Sequence, residues 1–401
     1  MTLLPRYLLK EIFGPIVLSS LFFIVVLLIA RIFDDIDLLL KAGVSGYVLL
    51  QVVGIFIGTL LTLTIPMAVL LGTIMGVGRL TSDNEILAIR IAGISLGRVF
   101  APVIFSVMLL TVVLIGVNQY VVPAFYRQLD RIFYEIQFEI ATNLEPGVVY
   151  DELAPPGTDM TLTFERKLPS DSGDKALIME GVSMHFIMDE EVVLEQENAE
   201  KKAYIVFAER GSVIGFPEDQ RIQLVLENGR WISEEAPSSS RTTVISFAAL
   251  ETFLNAGNDD LEAVLKTRPQ ELAFSDLLNT LQNPPSVEVF RDDEDGRRIA
   301  GVWRDYFRAR NEMIQRFTLP LSCLAFVLLA IPLAMEVRPK AKSFSLVLSA
   351  VLMSLYYAFF AFAQSAGTTG ISLSACLFLF LLPNILMGGI GILYFWRSVS
   401  R

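Results

Sequence analysis

Three charged side chains lie close together between two long apolar segments: Asp83, Glu85 and Arg90. The chemistry that they offer is charge pairing at a surface. Two interpretations of this stretch are open. It is either a helix at the membrane interface that only anchors the neighbouring segments, or a coupling helix that docks into a partner protein.

The same stretch has the pattern of a short helix from about residue 82 to about residue 93. Ser82, with Glu85 three positions later, predicts a capping box at its start. Ile86 and Ile89 share one face of this helix. Gly93 is typical of the residue just beyond a helix end. We therefore predict an amphipathic helix that presents Glu85.

Residues that commonly perform catalysis are scarce. The chain has one histidine, His185, and two cysteines, Cys323 and Cys376. Both cysteines lie in apolar segments, where we expect them to act as small hydrophobic residues. No Gly-Lys dipeptide is present, which excludes a Walker A phosphate loop. These absences argue against an enzyme, and we expect no cofactor and no metal.

The segments that flank these residues are strongly apolar. Of the 401 residues 53% are hydrophobic, and the acidic excess behind the net charge of −11 lies in the middle of the chain. An acidic domain is a poor candidate for nucleic-acid binding. Charge-free runs mark the membrane segments: Ile12–Ala30, Ala42–Gly78, Val99–Tyr126, Phe317–Met335 and Ser343–Trp396.

These runs predict six transmembrane helices, because a helix needs about 20 apolar residues to cross the bilayer core. The last run is too long for one helix and breaks at Gly367-Thr-Thr-Gly370, so we divide it into two. The first run is longer than the apolar region of a signal peptide, and we expect it to remain as the first helix. Gly54-x-x-x-Gly58 and Gly72-x-x-x-Gly76 predict close approach of the second helix to a neighbour, within the subunit or in a partner.

The orientation follows from the basic residues of the short loops. Most of them fall at one end of the predicted helices: Arg6, Lys10, Arg79, Arg90, Arg98, Arg338, Lys340, Lys342, Arg397 and Arg401. With this end in the cytoplasm, both termini are cytoplasmic and the large middle domain is periplasmic. We expect a multi-pass protein of the bacterial inner (cytoplasmic) membrane.

The middle of the chain has the pattern of an all-β domain. Residues 160–164 alternate apolar and polar side chains, and further strand candidates are residues 176–188, 203–208, 222–226 and 242–247. Asn228-Gly229 between apolar residues predicts a hairpin turn. Several short strands with turn residues between them suggest a sandwich or a jelly roll.

A series of short motifs resembles one protein family. The run Asp83-Asn-Glu-Ile86, with Arg90-Ile-Ala-Gly-Ile-Ser95, is similar to the coupling-helix region of the LptF/LptG lipopolysaccharide export permeases. The resemblance continues in order at Pro5–Ile12, Asn118–Pro123, Ala208–Gly211, Leu224–Gly229, Arg316–Pro320, Ala330–Leu333 and Leu382–Asn384. Each motif is short, and their order on a six-span topology makes the match specific.

The resemblance implies partners. It suggests a heterodimer with a paralogous permease subunit, a dimeric cytoplasmic LptB-like ATPase, and periplasmic bridge proteins similar to LptC and LptA. Glu85 would pair with an arginine of the ATPase, with Asp83 and Arg90 beside it. The jelly roll would pass lipopolysaccharide to the bridge by strand pairing at an open sheet edge.

The resemblance also suggests which cations meet the lipid. The phosphates and carboxylates of lipopolysaccharide would lie at the outer leaflet, so the candidates are basic residues near the outer helix ends: Lys41, Arg127, Arg131 and Arg31. Lys41 and Arg131 lie in stretches similar to the family's substrate-contacting segments, and Arg127 is added by proximity. A side chain that reaches the membrane interface explains Arg31 equally well.

We therefore predict an α-helical membrane protein with six transmembrane helices and an inserted all-β, jelly-roll-like periplasmic domain. Its predicted parts are residues 1–126, 127–303 and 304–401. The predicted function is the permease subunit of an ABC-type exporter that takes lipopolysaccharide from the outer leaflet of the inner membrane, with ATP hydrolysed by a partner chain. Two other classes remain open: a membrane-anchored periplasmic binding or scaffold protein without transport, and a membrane-embedded enzyme that uses carboxylates.

Overall fold

In the computed structural model, six helices among the described residues are long and apolar enough to cross a membrane. They are Leu4–Phe33, Gly46–Ser82, Leu96–Thr142, Asp305–Glu336, Phe344–Gly367 and Leu373–Arg397. The number confirms the prediction of six transmembrane helices. The structure describes residues 3–41, 45–150, 159–168, 177–188, 202–216, 221–234, 242–253, 269–284, 296–337 and 342–399.

The helices follow the chain in the order α1 (Leu3–Lys41), α2 (Gly46–Ser82), α3 (Glu85–Ile91), α4 (Leu96–Gly116), α5 (Val122–Thr142), α6 (Phe274–Gln282), α7 (Gly296–Val337), α8 (Lys342–Gly367) and α9 (Leu373–Val399). A π-helical turn at Val117–Val121 joins α4 to α5, so the third span is one continuous helix. The division of the last apolar run at Gly367 is confirmed, because α8 ends there.

The chain forms two compact units. The first, called the membrane unit below, comprises Met1–Asp34, Val53–Arg127 and Thr267–Arg401. The second, called the β unit, comprises Asp35–Val52 and Gln128–Lys266. Each unit has its own apolar core, and the largest buried side chains of the membrane unit include Phe100, Phe326, Tyr356 and Phe380.

Two glycines of α2 allow its backbone to approach that of α1. A Cβ atom added at Gly72 would lie 2.5 Å from the Ile16 Cα atom, and one added at Gly76 would lie 3.0 Å from the Ile12 Cα atom. Close approach through small residues is a common way to pack helices in membranes, where apolar burial gives no net attraction between them. The Gly72-x-x-x-Gly76 motif therefore packs within this chain.

The β unit is built on one antiparallel sheet, which confirms the all-β prediction. Its strands are β1 (Asp159–Thr163), β2 (Arg166–Leu168), β3 (Leu177–Met188), β4 (Lys202–Phe216), β5 (Arg221–Glu234) and β6 (Thr242–Phe253). The order is β1-β3-β4-β5-β6, and β2 also pairs with β3. Strands β3 to β6 form a meander, and β6 lies at one edge of the sheet.

The predicted hairpin at Asn228-Gly229 is wrong, because β5 runs straight through both residues. Four neighbouring positions are left out of the pairing register along one line across the sheet: Gly181, Glu209, Asn228 and Ala248. Gly181 has a φ of 69° and Asn228 a φ of 52°, in the left-handed region that Gly and Asn tolerate best. The Asn-Gly pair is typical of a hairpin turn, but here it lies where the hydrogen-bonding ladder of the sheet is interrupted.

The interruption changes which residues face the core. In β4, Val206 and Ala208 are buried before it, whereas Gly211 and Val213 are buried after it. Strict alternation would have placed residues 210 and 212 on that face. The same one-position shift occurs in β3 and β5. The shift keeps the apolar residues of both halves of each strand in one core, with Tyr134 and Ala141 of α5.

We expect Gly72→Ala to lower the free energy of unfolding by about 1–3 kcal/mol, because its new methyl group would meet the backbone of α1. Gly54→Ala is the matched control on the same helix, since no atom lies within 4 Å of its added Cβ position. Unfolding of the purified protein in mixed micelles measures both. Equal effects of the two substitutions would contradict this packing.

Candidate docking helix and cations of the membrane unit

The short helix α3 begins later than predicted. Helix α2 continues to Ser82, whose hydroxyl donates to the Gly78 carbonyl oxygen at 2.9 Å, so the predicted capping box with Glu85 is wrong. The chain then turns through Asn84, which has a φ of 61°. Because the Ser82 hydroxyl bonds to a carbonyl of its own helix, it does not serve as the N-cap of α3.

The end of α3 agrees with the prediction. Gly93 has a φ of 73°, and its N–H donates to the Arg90 carbonyl oxygen at 2.9 Å. The Ile94 N–H donates to the Ile89 carbonyl oxygen at 3.3 Å. These two bonds form a Schellman motif, which satisfies carbonyl groups that the helix end leaves unpaired.

Helix α3 has a buried face and an exposed apolar edge. Ile86 and Ile89, which were predicted to share one face, are buried in the core of the membrane unit. Leu87 is 47% exposed and Ile91 is 79% exposed. Arg90 lies at the exposed surface beside them. Exposed large apolar side chains next to charges are typical of a protein–protein contact.

The carboxylate of Glu85 is oriented by α1. The Tyr7 hydroxyl donates to its Oε1 atom at 3.0 Å. A second contact joins the same two parts of the chain, because Arg79 Nη1 donates to Glu11 Oε2 at 3.1 Å. Arg79 Nε also lies 3.7 Å from Asp83 Oδ2. Sequence reasoning gave Tyr7 and Glu11 no role, because each is far from α3 in the chain.

Two of the predicted lipid-binding cations belong to the membrane unit. The guanidinium of Arg31 lies over the ring of Phe56, 5.3 Å from its centroid. Arg127 Nη1 donates to the Glu271 carbonyl oxygen at 2.7 Å. The structure therefore places Arg127 against the backbone of a neighbouring segment.

The other two predicted cations are placed differently. Arg131 belongs to the β unit, is highly exposed, and pairs through Nε with Glu135 Oε1 at 3.4 Å. Lys41 is the last residue of α1, and its side chain lies outside the described residues. Arg31 and Arg127 thus belong to the membrane unit, and Arg131 belongs to the β unit.

Two further arginines of α7 are buried, which the sequence did not indicate. Arg316 is 3% exposed and donates through Nε to Glu312 Oε1 at 3.0 Å. Its two terminal nitrogens donate to the carbonyl oxygens of Pro269, Gln270 and Leu272 at 3.0–3.1 Å. A buried charge is stable only when it is paired and hydrogen-bonded, and Arg316 meets both conditions.

The side chain of Arg310 binds the C-terminal end of α8. Its terminal nitrogens donate to the Gly367 carbonyl oxygen at 2.8 Å and the Ile371 carbonyl oxygen at 2.7 Å. Gly367 is the last residue of α8, so the guanidinium lies at the negative end of that helix dipole. The Cζ atom of Arg310 also lies 4.7 Å from the centre of the Phe307 ring. This arginine fastens the α8–α9 turn to α7.

A polar node connects three spans inside the membrane unit. It consists of the Thr62 hydroxyl, the Asn118 amide and the Arg316 carbonyl. Thr62 donates to Asn118 Oδ1, and Asn118 Nδ2 donates to the Arg316 carbonyl oxygen at 3.4 Å. Pro320 lacks the N–H that would normally bond that carbonyl from four residues ahead.

The π-helical turn places Asn118 in this node. Such turns are rare and often mark functional positions. The next residue, Gln119, is also buried, and neither of its amide atoms has a hydrogen-bond partner within the described residues. The buried amide of Gln119 is therefore unsatisfied within the part of the chain that the structure describes.

The two cysteines and the histidine of the chain lie in buried or half-buried positions. Cys323 and Cys376 are free and buried, as predicted. His185 is a half-buried residue of β3, opposite Thr161 and Ile205. Within the described residues no group of three His, Cys, Asp or Glu side chains could hold a metal ion.

These features define a multi-pass membrane protein with an antiparallel β-domain inserted between its third and fourth spans. The chain belongs to the family described as Lipopolysaccharide export system permease LptF/LptG, whose sequence model matches residues 6–397. No curated protein matches the chain. Members of this family are permease components of lipopolysaccharide export rather than enzymes.

We expect Asn118→Leu to lower the free energy of unfolding by about 1 kcal/mol, because it removes the donor to the Arg316 carbonyl. In a Pro320→Ala background the backbone can supply the missing N–H, so the same substitution should cost clearly less. A double-mutant cycle in mixed micelles measures the difference. An identical cost in both backgrounds would show that the two sites do not interact.

Proposed function

We propose that this chain is one subunit of a permease that takes lipopolysaccharide from the outer leaflet of the bacterial inner membrane, driven by a separate ATPase. The observation that carries the proposal is the exposed edge of α3, where Leu87 and Ile91 stand beside Glu85 and Arg90. The chain has no Gly-Lys dipeptide and hence no phosphate loop of this type. In this proposal the energy comes from a separate ATPase chain that contacts this one.

The proposed topology places both termini and α3 in the cytoplasm. The contacts Tyr7–Glu85 and Glu11–Arg79 support it, because they bring the start of α1 and the region of α3 to the same end of the membrane unit. This end also carries Arg6, Lys10 and Arg98. An excess of basic residues is typical of the cytoplasmic side.

In this account an LptB-like ATPase dimer binds α3. The apolar edge would enter a groove of the ATPase, and the Glu85 carboxylate would meet a cation at its rim. Tyr7 holds that carboxylate by one hydrogen bond, which reduces the conformational freedom lost on binding. Because Ile86 and Ile89 are anchored in the core, movement of α3 would be transmitted to α2 and α4.

The β unit would pass the lipid onward to LptC- and LptA-like bridge proteins. Strand β6 lies at the edge of the sheet and exposes Val244 and Ile245, which are 54% and 57% exposed. An exposed apolar edge strand is suited to pairing with a strand of another protein. A paralogous permease subunit would complete the lipid cavity as a heterodimer.

Lipopolysaccharide is anionic, so its binding requires cations near the outer leaflet. Arg31, Arg131 and Lys41 remain our candidates. Arg31 packs on Phe56, which leaves a planar cation beside an aromatic side chain in the membrane unit. Arg131 is 74% exposed and could exchange its Glu135 contact for a phosphate at little cost.

Charge reversal at the docking helix tests the proposal. Glu85→Lys should abolish copurification with the ATPase, since a like charge at an interface costs several kcal/mol. The variant should still insert in the membrane, because the side-chain hydrogen bond that Glu85 would lose among the described residues is the one from Tyr7. Pull-down of the ATPase with the tagged permease complex measures the effect.

Glu139→Lys is the matched control, because it reverses an exposed charge on α5 instead. It should leave ATPase recovery unchanged. If the Glu85 variant recovers as much ATPase as this control, α3 is not the docking site and the proposed coupling is wrong.

A further inference from the structure

The backbone of a four-residue segment, Pro269–Leu272, is bonded by arginine side chains. We call this segment the strut; it precedes α6 and follows the β strands in the chain. The carbonyl oxygens of Pro269, Gln270 and Leu272 accept hydrogen bonds from Arg316, and that of Glu271 accepts one from Arg127. All four backbone acceptors of the strut are thus bonded to a guanidinium group.

The two arginines come from different spans. Arg316 lies in α7, the fourth span, and Arg127 lies in α5, just beyond the π-helical turn of the third span. Both are in the membrane unit with the strut. Relative movement of the third and fourth spans would therefore change the two anchor points of the strut. A planar guanidinium with several donors suits such multipoint fixation better than an ammonium group does.

Arg316 is also connected at its other end. Its side chain holds the strut, while its carbonyl, left without a backbone donor by Pro320, accepts from Asn118 in the π-helical turn. One residue thus links the strut to the third span through the polar node.

We propose that Arg316 and Arg127 are positioning residues that couple the strut to movement of the third and fourth spans, and that lipid release requires this coupling. The inference rests on the proposed function for its transport readout. Arg316 is buried and its donors are engaged, so it acts through the strut rather than by contacting lipopolysaccharide. For Arg127 this role replaces the lipid contact predicted from its position in the sequence.

The test uses the complete export complex in lipid nanodiscs with labelled lipopolysaccharide. Arg127→Met removes one hydrogen bond to the strut and keeps most of the side-chain volume. We expect ATP hydrolysis within about twofold of wild type, unchanged photocrosslinking of lipid to the membrane unit, and a fall of about fivefold or more in lipid released per ATP hydrolysed. The ratio is independent of how much complex is recovered.

Arg166→Met is the matched control, because it removes an exposed arginine, paired with Glu180, that belongs neither to the strut contacts nor to the candidate lipid-binding cations. It should leave lipid release per ATP unchanged. Arg316→Lys provides the second test variant, since it keeps the charge beside Glu312 but loses the planar fork that reaches three carbonyls. It should show the same uncoupling as Arg127→Met.

Two results would overturn the inference. Unchanged lipid release per ATP in both strut variants would show that these contacts only stabilise the fold. A loss of lipid crosslinking in proportion to the loss of release would make Arg127 a substrate contact. If the wild-type complex itself released no lipid on ATP hydrolysis, the proposed function would fail instead, so the two failures are distinguishable.

Discussion

Burial of the Arg316 guanidinium is the constraint on which the membrane unit depends. A charged side chain in an apolar span costs about 2.5–3.5 kcal/mol on insertion scales, and more if its donors are left unpaired. Here it has one carboxylate partner and three backbone carbonyls. Satisfying it requires the strut to fold back against α7, and the strut then fixes where α6 begins.

The same logic explains the other irregular features of the spans. Pro320 releases a carbonyl, Asn118 supplies a donor to it, and the π-helical turn brings Asn118 to that position. Asn384 of α9 donates to the Thr318 carbonyl at 3.0 Å and accepts from the Tyr356 hydroxyl at 3.2 Å, which joins α7, α8 and α9. In an apolar solvent each unpaired polar group is costly, so these groups determine how the helices pack.

Features that depend on composition, such as the membrane spans, could be predicted from the sequence. Features that depend on contacts between distant residues could not. Charge-free runs and the break at Gly367 were sufficient for the six spans, because the bilayer sets helix length. The hairpin prediction at Asn228-Gly229 was wrong, because the left-handed backbone of Asn228 lies at an interruption of the sheet's ladder. This interruption also involves Gly181, which lies on another strand. Likewise, the fixation of Glu85 by Tyr7 and of the strut by Arg316 joins residues distant in the chain, which no local pattern reveals.

In the proposed function the chain presents different binding surfaces at the two ends of its spans. Helix α3 has an apolar edge with charges, and the sheet has an edge strand. In the proposed function these surfaces lie on opposite sides of the membrane, and a partner ATPase would supply the energy by contact with α3.

The opposite placement of these two surfaces is the central claim, and labelling of single cysteines tests it most directly. Ser95→Cys, beside α3, and Ser246→Cys, in β6, are both exposed conservative substitutions, and the native cysteines are buried. With a membrane-impermeant maleimide, the account predicts that position 246 reacts in spheroplasts and position 95 only in inverted vesicles. Reaction of both positions from the same side would contradict it.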